Sequence, residues 1–331
     1  MPIQYMTDPQ LGAFLTANGN LDPSVRQAVL DQLNNIGVYD YPSQPGLTAW
    51  VQTGANAPVN PITQVLDIQS PGATSVTTGG DLDVIIDDVP GGTSLTVFGS
   101  KDVFIATSKH VNSIILNDTG NDTVVSGSGA DTVTGGGGSL NISTGSGNDV
   151  VHINSAGDSF VDAGAGNDTV TTGGDNDTVV GGDGNDSISG GFADNQSLSG
   201  GGGNDTIFSG GDNETLLGGN GNDSLDAGTG DNQSLDGGAG NDTLSAGGDG
   251  NTLLGGAGND QFHITETTGD DTVDGGAGNN TLSFDGRVLQ DFTDATVNTV
   301  AGVTTIEFTD GQTVTVSHVK ELHFTDGNHT L

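Results

Sequence analysis

Carboxylates recur in this chain at a spacing that suits cation binding better than acid–base chemistry. Every second nine-residue unit places an acid at Asp131, Asp149, Asp168, Asp186, Asp205, Asp223, Asp242 and Asp260, followed by Asn280. Most of them close a segment of the form G-G-x-G-N-D. Examples are GGDGNDSIS (181–189), GGGGNDTIF (200–208), GGNGNDSLD (218–226) and GGAGNDTLS (237–245). Such a turn offers bare backbone carbonyls and one carboxylate, a hard-oxygen donor set of the kind Ca²⁺ takes in numbers of roughly six to eight. A single turn is half a site. A second turn stacked on it supplies the other half, so ions are expected between successive turns, in about eight gaps.

The elements that position these acids follow from the same period. Two residues after each acid comes an apolar one, such as Val133, Val151, Ile188, Ile207, Leu225 and Leu244. The intervening units supply Val124, Ile142, Phe160, Val179, Leu198, Leu216, Leu235 and Leu253. The chain is only 31% hydrophobic, so chance does not produce an unbroken apolar row. Six residues of Gly, Asn and Asp make a turn in which Gly supplies positive φ. Three residues then form a strand whose central side chain points inward. Two units close one coil of about eighteen residues, and stacked coils give two parallel sheets around a narrow aliphatic core. The expected fold is an all-β parallel β-roll or β-solenoid over 117–286.

The opposite edge of the roll carries Asp122, Leu140, Asp158, Asp177, Gln196, Glu214, Gln233, Asn251 and Asp271 at the position of the acids. It is patchy, so only a few further ions are expected there, near Asp158 and Asp177 and at the two ends, Asp122 and Asp271. Residues 194–223 recur as 231–260, so the departures from the acid pattern are themselves copied as a two-coil unit.

Composition sets limits on partners. The 331 residues include 58 Gly, and 43 acidic residues face 5 basic ones, for a net charge of −38. That charge excludes plain electrostatic binding to nucleic acid or anionic membranes. Without Cys there are no disulfides or thiolate metal sites. No stretch approaches the ~18 apolar residues of a membrane span, and Met1–Phe14 does not read as a cleaved signal peptide. Residues 1–61 contain all three Tyr and the only Trp, with one amphipathic helix expected from Asp22 to Gly37. Residues 62–116 read as strands that start the roll and cap it. Residues 287–331 read as β-hairpins turning at Ala301–Gly302, Asp310–Gly311 and Asp326–Gly327, a C-terminal cap.

These nonapeptides resemble those of the RTX, or repeats-in-toxin, family of hemolysin-type calcium-binding proteins exported by type I secretion. The resemblance covers roughly half of the chain directly, and the C-terminal hairpins resemble the caps and uncleaved secretion signals that follow such repeats. It implies that the Ca²⁺ ligands are the carboxylates of Asp131, Asp149, Asp168, Asp186, Asp205, Asp223, Asp242 and Asp260. It further implies the carbonyls of Gly182, Gly201, Gly219, Gly238 and Gly256. Leu140, Gln196, Gln233 and Asn251 bring no carboxylate to this pattern. The implied setting is extracellular or on the cell surface, with folding upon Ca²⁺ binding after export.

An enzyme is not expected. There is no H-E-x-x-H and no G-x-S-x-G elbow, and the six His are scattered. Two other classes remain. A self-assembling surface-layer or matrix protein is suggested by an outward apolar row at Val125, Val161, Val180, Leu217 and Leu254. An adhesin or module for extracellular polysaccharide is suggested by the Ser and Thr that precede most inward residues, a ladder that also suits any exposed strand.

Overall fold

The computed structural model describes residues 102–107, 110–154, 157–265 and 269–331. Before these it describes only the strands Ala49–Gln52, Val65–Ile68, Ala73–Thr77, Val84–Asp87 and Ser94–Gly99. The helix expected over 22–37, Tyr39, Tyr41 and the side chain of Trp50 lie outside the described residues. The chain divides into two compact units, 1–169 and 170–331.

In the first unit successive strands alternate between two parallel sheets. Val65–Ile68, Val84–Asp87, Phe104–Thr107, Thr123–Val125, Asn141–Ser143 and Phe160–Ala165 follow one another in one sheet. Ala73–Thr77, Ser94–Gly99, Ser113–Asp118, Thr132–Gly135 and Val150–Ile153 do so in the other. The strands before residue 117 are therefore coils of the solenoid itself, with Phe104 paired to Thr123 in the first repeat. Leu95, Val97, Ile105, Ile114 and Leu116 are all buried there.

The second unit repeats the pattern. One sheet runs through Thr178–Asp183, Ser197–Gly202, Thr215–Asn220, Ser234–Ala239, Thr252–Ala257, Asp270–Asp274 and Thr313–Ser317. The other runs from Ser187–Gly191 to Glu321–Phe324 by the same rule. Inward residues stack directly on their counterparts, as Leu198, Leu216, Leu235 and Leu253 do. All four are fully buried.

One register differs from expectation. Val161, not Phe160, pairs with Ile142 and points inward at 0% exposure, whereas Phe160 is 41% exposed. The extra residue of this ten-residue unit sits in the turn before the strand, and a one-residue slip turns each side chain to the other face. Val161 thus leaves the outward apolar row. What remains of that row is interrupted, because Leu217 and Leu254 each pair with Asp236, which stands between them.

The C-terminal hairpins are present. Thr296–Val300 pairs antiparallel with Val303–Glu307, which pairs antiparallel with Thr313–Ser317. Glu321–Phe324 pairs antiparallel with Gly327–Thr330. Thr313–Ser317 and Glu321–Phe324 first continue the two parallel sheets, and the chain then reverses over them. A short helix, Leu289–Asp294, was not anticipated; it is a single turn and a half, too brief for periodicity to reveal. Its Phe292 packs against Phe324 and His329. The buried Arg287 lies over Phe308, donates to Gln312 and pairs with Asp310 at 2.9 Å.

The alternation of faces gives a direct test. Leu216→Ala, which opens a cavity in the core, is expected to destabilise the Ca²⁺-saturated protein by about 2–5 kcal/mol in urea unfolding. Leu217→Ala, on the outer face, is expected to stay within about 0.5 kcal/mol of the parent. Equal losses at both positions would contradict the facing described here.

Candidate metal centre

Strand register brings the acids of one edge into a column. Each carboxylate is buried directly before a strand, and within each unit Oδ1 of the next acid along the column accepts a backbone N–H from the coil before it. In the first unit Asn112 donates to Asp131, Asp131 to Asp149 and Asp149 to Asp168, each at 2.7 Å. In the second, Asp186 donates to Asp205, Asp205 to Asp223 and Asp223 to Asp242, each at 2.8 Å. Asp242 donates to Asp260 at 3.0 Å, and Asp260 to the Asn280 side chain at 2.9 Å.

The other oxygen is left over at several of them. Oδ2 of Asp205, Asp223, Asp242 and Asp260 is buried and meets no donor. A buried charged oxygen without a partner is costly, and a repeated one calls for a cation. The carbonyls around it fit that role. A Cβ placed on Gly218 would lie 2.5 Å from Asp223 Oδ2 and 2.6 Å from the carbonyl oxygen of Gly237, one coil on. At Gly237 the corresponding neighbours are Asp242 Oδ2 at 2.6 Å and the Gly255 carbonyl at 2.9 Å. A carboxylate of one coil and a carbonyl of the next thus converge on one space, which stays open because no side chain occupies it. Among the described residues no three His, Cys, Asp or Glu side chains gather as a metal cluster, so carbonyls must complete any site here. That is calcium's donor preference.

The carbonyls of Gly237 and Gly255, each the first glycine of its pair, are the ones seen beside these carboxylates. Gly182, Gly201, Gly219, Gly238 and Gly256 still lie within strands and stack on one another in register. The Gly256 carbonyl accepts from Ala277 N–H at 2.7 Å. These strands are six residues long, three more than the three-residue strand the repeat predicts. A second staple was missed in the sequence. Asn222 Oδ1 accepts from Asn241 N–H at 2.7 Å, and Asn241 Oδ1 from Asn259 N–H at 2.8 Å. The Asn before each Asp in G-N-D was the available signal. This exposed column bonds to the following coil, whereas the aspartate column bonds to the preceding one.

The opposite edge is ordered in its own way. Asp122 accepts from Val103 N–H at 2.9 Å, and Asp271 from Asn251 N–H at 3.0 Å. Asp177 accepts from Gly174 N–H, within its own turn, at 3.1 Å. Asp158 does not join this column. It is exposed, and Ser159 takes its place, with Oγ accepting from Leu140 N–H at 3.1 Å. The cause is the one-residue shift that buries Val161. Between these acids, Gln196, Glu214, Gln233 and Asn251 occupy the same buried position. Asp194, Asp212, Asp231 and Asp249 form an exposed ladder beside them, each N–H reaching the carboxylate one coil earlier at 2.8–3.0 Å.

Burial raises the affinity of these carboxyls for protons. Desolvation, opposed in part by backbone N–H donors and at Asp131 also by the Ser126 hydroxyl, pushes Asp131 and Asp223 up to about 6. Asp149, Asp205, Asp242 and Asp260 are raised by the same cause. Desolvation likewise takes Asp271 to about 6 and Glu214 to about 7.

The family model for the RTX calcium-binding nonapeptide repeat (four copies) matches residues 117–151, 153–188, 190–225, 226–262 and 267–286. A search of curated proteins finds no match.

The raised carboxyl affinities set the sign of a pH effect. A proton binds more tightly in the folded than in the unfolded chain, so this stabilisation is complete below about pH 4 and is lost as pH rises through about 6. In chelator, acidifying from pH 7.5 to 5 is therefore expected to increase the strand signal in far-UV circular dichroism. In saturating Ca²⁺ the signal should change little over that range. Apparent Ca²⁺ affinity should weaken below pH 6, because ion and proton compete for the same oxygens. A chelated chain whose strand content ignores pH would contradict this account.

Proposed function

This chain belongs to the RTX calcium-binding nonapeptide repeat family, and from that premise we propose that it is a secreted, non-catalytic protein whose β-solenoid folds on binding Ca²⁺ outside the cell. We place it as a structural or self-assembling component of a surface layer or extracellular matrix. The observation that carries this reading is the row of buried Oδ2 atoms without donors along one edge. A chain with net charge −38 has little reason to compact while those oxygens face one another. Ions that bind only the stacked coils contribute their binding free energy to folding. Extracellular modules bind Ca²⁺ at roughly 10⁻⁴ to 10⁻³ M, which leaves such a chain unfolded at cytoplasmic Ca²⁺ and folded outside. About eight ions fill the aspartate edge in this reading.

The structural role is supported by how little of the described chain is anything but solenoid and its terminal hairpins. No helix among the described residues is long and apolar enough to cross a membrane. Binding to extracellular polysaccharide is the second reading. It is favoured by one observation, the aligned hydroxyl column of Thr178, Ser197, Thr215, Ser234, Thr252 and Thr272 on a single sheet. The interrupted row at Leu217 and Leu254 makes a continuous apolar contact between copies less favourable than the sequence suggests, so assembly would rest on the ends or on polar faces.

Light scattering on a size-exclusion column separates these readings. In chelator the chain is expected to elute as an expanded monomer, and in about 10 mM Ca²⁺, well above module affinities, as ordered assemblies. A compact Ca²⁺-bound monomer would retain calcium-coupled folding and shift the role to glycan binding. An equally compact chain in chelator would overturn both.

A further inference from the structure

The two edges of the second unit satisfy the same need by different chemistry. On the aspartate edge one oxygen takes a backbone N–H, and the other is left without a donor near the turn carbonyls. At the equivalent place on the other edge, Gln233 Oε1 accepts from Glu214 N–H at 3.1 Å while its Nε2 donates straight to the Gly211 carbonyl. Asn251 does the same. Its Oδ1 accepts from Gln233 N–H at 3.0 Å, and its Nδ2 donates to the carbonyls of Gly247 and Gly248 at 3.1 and 3.0 Å. Gln196 Nε2 donates to the Gly174 carbonyl at 2.9 Å, and its Oε1 accepts from Ser209 Oγ at 3.2 Å. The carbonyl partners can only accept, so the amide nitrogens must face them.

We propose that the amides of Gln196, Gln233 and Asn251 hold the turn carbonyls of this edge in place of a cation, so that it closes without calcium while the opposite edge requires it. This rests on the calcium reading of the aspartate edge. A side-chain NH₂ cannot ligate Ca²⁺, but it presents two donors to the same kind of oxygen the ion would bind. One amide therefore does the work that a carboxylate and an ion share across the roll. The conversion is incomplete at one coil. Glu214 stands in the same register between Gln196 and Gln233; its carboxylate takes the Ser209 hydroxyl at 2.7 Å and the backbone N–H of Gln196, yet it has no NH₂ to offer and its Oε1 is buried without a hydrogen bond. Thr172, Gly174, Ser209 and Gly211 line these side chains, and none of them brings a charge to the column.

Glu214→Gln in the full chain separates this from an ion-binding edge. The substitution removes a buried charge and replaces its unpaired oxygen with an NH₂ like those of Gln196 and Gln233, so the melting temperature in saturating Ca²⁺ is expected to rise by roughly 2–4 °C. The number of bound ions, read by calorimetric titration, should not change. A lower ion count with a lower melting temperature would show that Glu214 ligates Ca²⁺ and would overturn the proposal. Gln233→Glu provides the reverse measurement, with a lower melting temperature and no gain in ions expected. A gain of an ion would overturn the proposal too. Asp223→Asn is the control on the opposite edge. If it leaves the ion count unaltered, the calcium reading itself fails, whatever the other two variants do.

Discussion

A buried carboxylate with one oxygen satisfied and one not is the condition on which the solenoid is organised. The satisfied oxygen ties each coil to the one before it by a backbone N–H, and that tie fixes how the turns stack. The unsatisfied oxygen makes the stacking expensive until something positive enters. Both effects come from a single Asp side chain, so order along this edge and its demand for a cation cannot be separated. The glycine beside it matters because it leaves the space between carboxylate and carbonyl open. Any side chain there would occupy the place where the two oxygens converge.

The core does not compensate for that demand. It consists of two facing files of inward side chains, mostly Val, Ile and Leu, with Phe262 and Phe284 the largest fully buried members. Apolar burial of this kind is spread evenly, and no region is thick enough to stabilise its neighbours by itself. Electrostatics at the turns therefore weighs more here than in a globular domain of similar length. Substituting amides for acids on the other edge reduces the number of like charges that must be brought together, and it does so without altering strand register.

Much of this was legible in the sequence, and the reason is periodicity. Strand positions, inward residues such as Leu198 and Leu216, and the aspartate column all follow from the nine-residue unit. The placement at 159–161 did not, because a ten-residue unit says that one residue has been added and not on which side of the strand it lies. Val161 won the core position over Phe160 through its pairing with Ile142, and Ser159 displaced Asp158 with it. The extension of the strands through the second glycine was likewise hidden, since only backbone geometry reveals it. Gln196, Gln233 and Asn251 read as lapses from the acid pattern when only carboxylates are counted. Their amide nitrogens take on meaning once Gly174, Gly211 and Gly247 are seen to offer carbonyls to them.

The side-chain staples on both edges mostly join residues 18 to 20 positions apart. Closing a loop costs entropy that depends on its length, and here that length is the same for every coil added. The barrier to adding the tenth coil is no higher than for the third. Contacts of this uniform short range favour quick, directional growth from whichever coil forms first. Damage is confined in the same way: a coil that cannot form disturbs its two neighbours, and coils further along keep every bond they had.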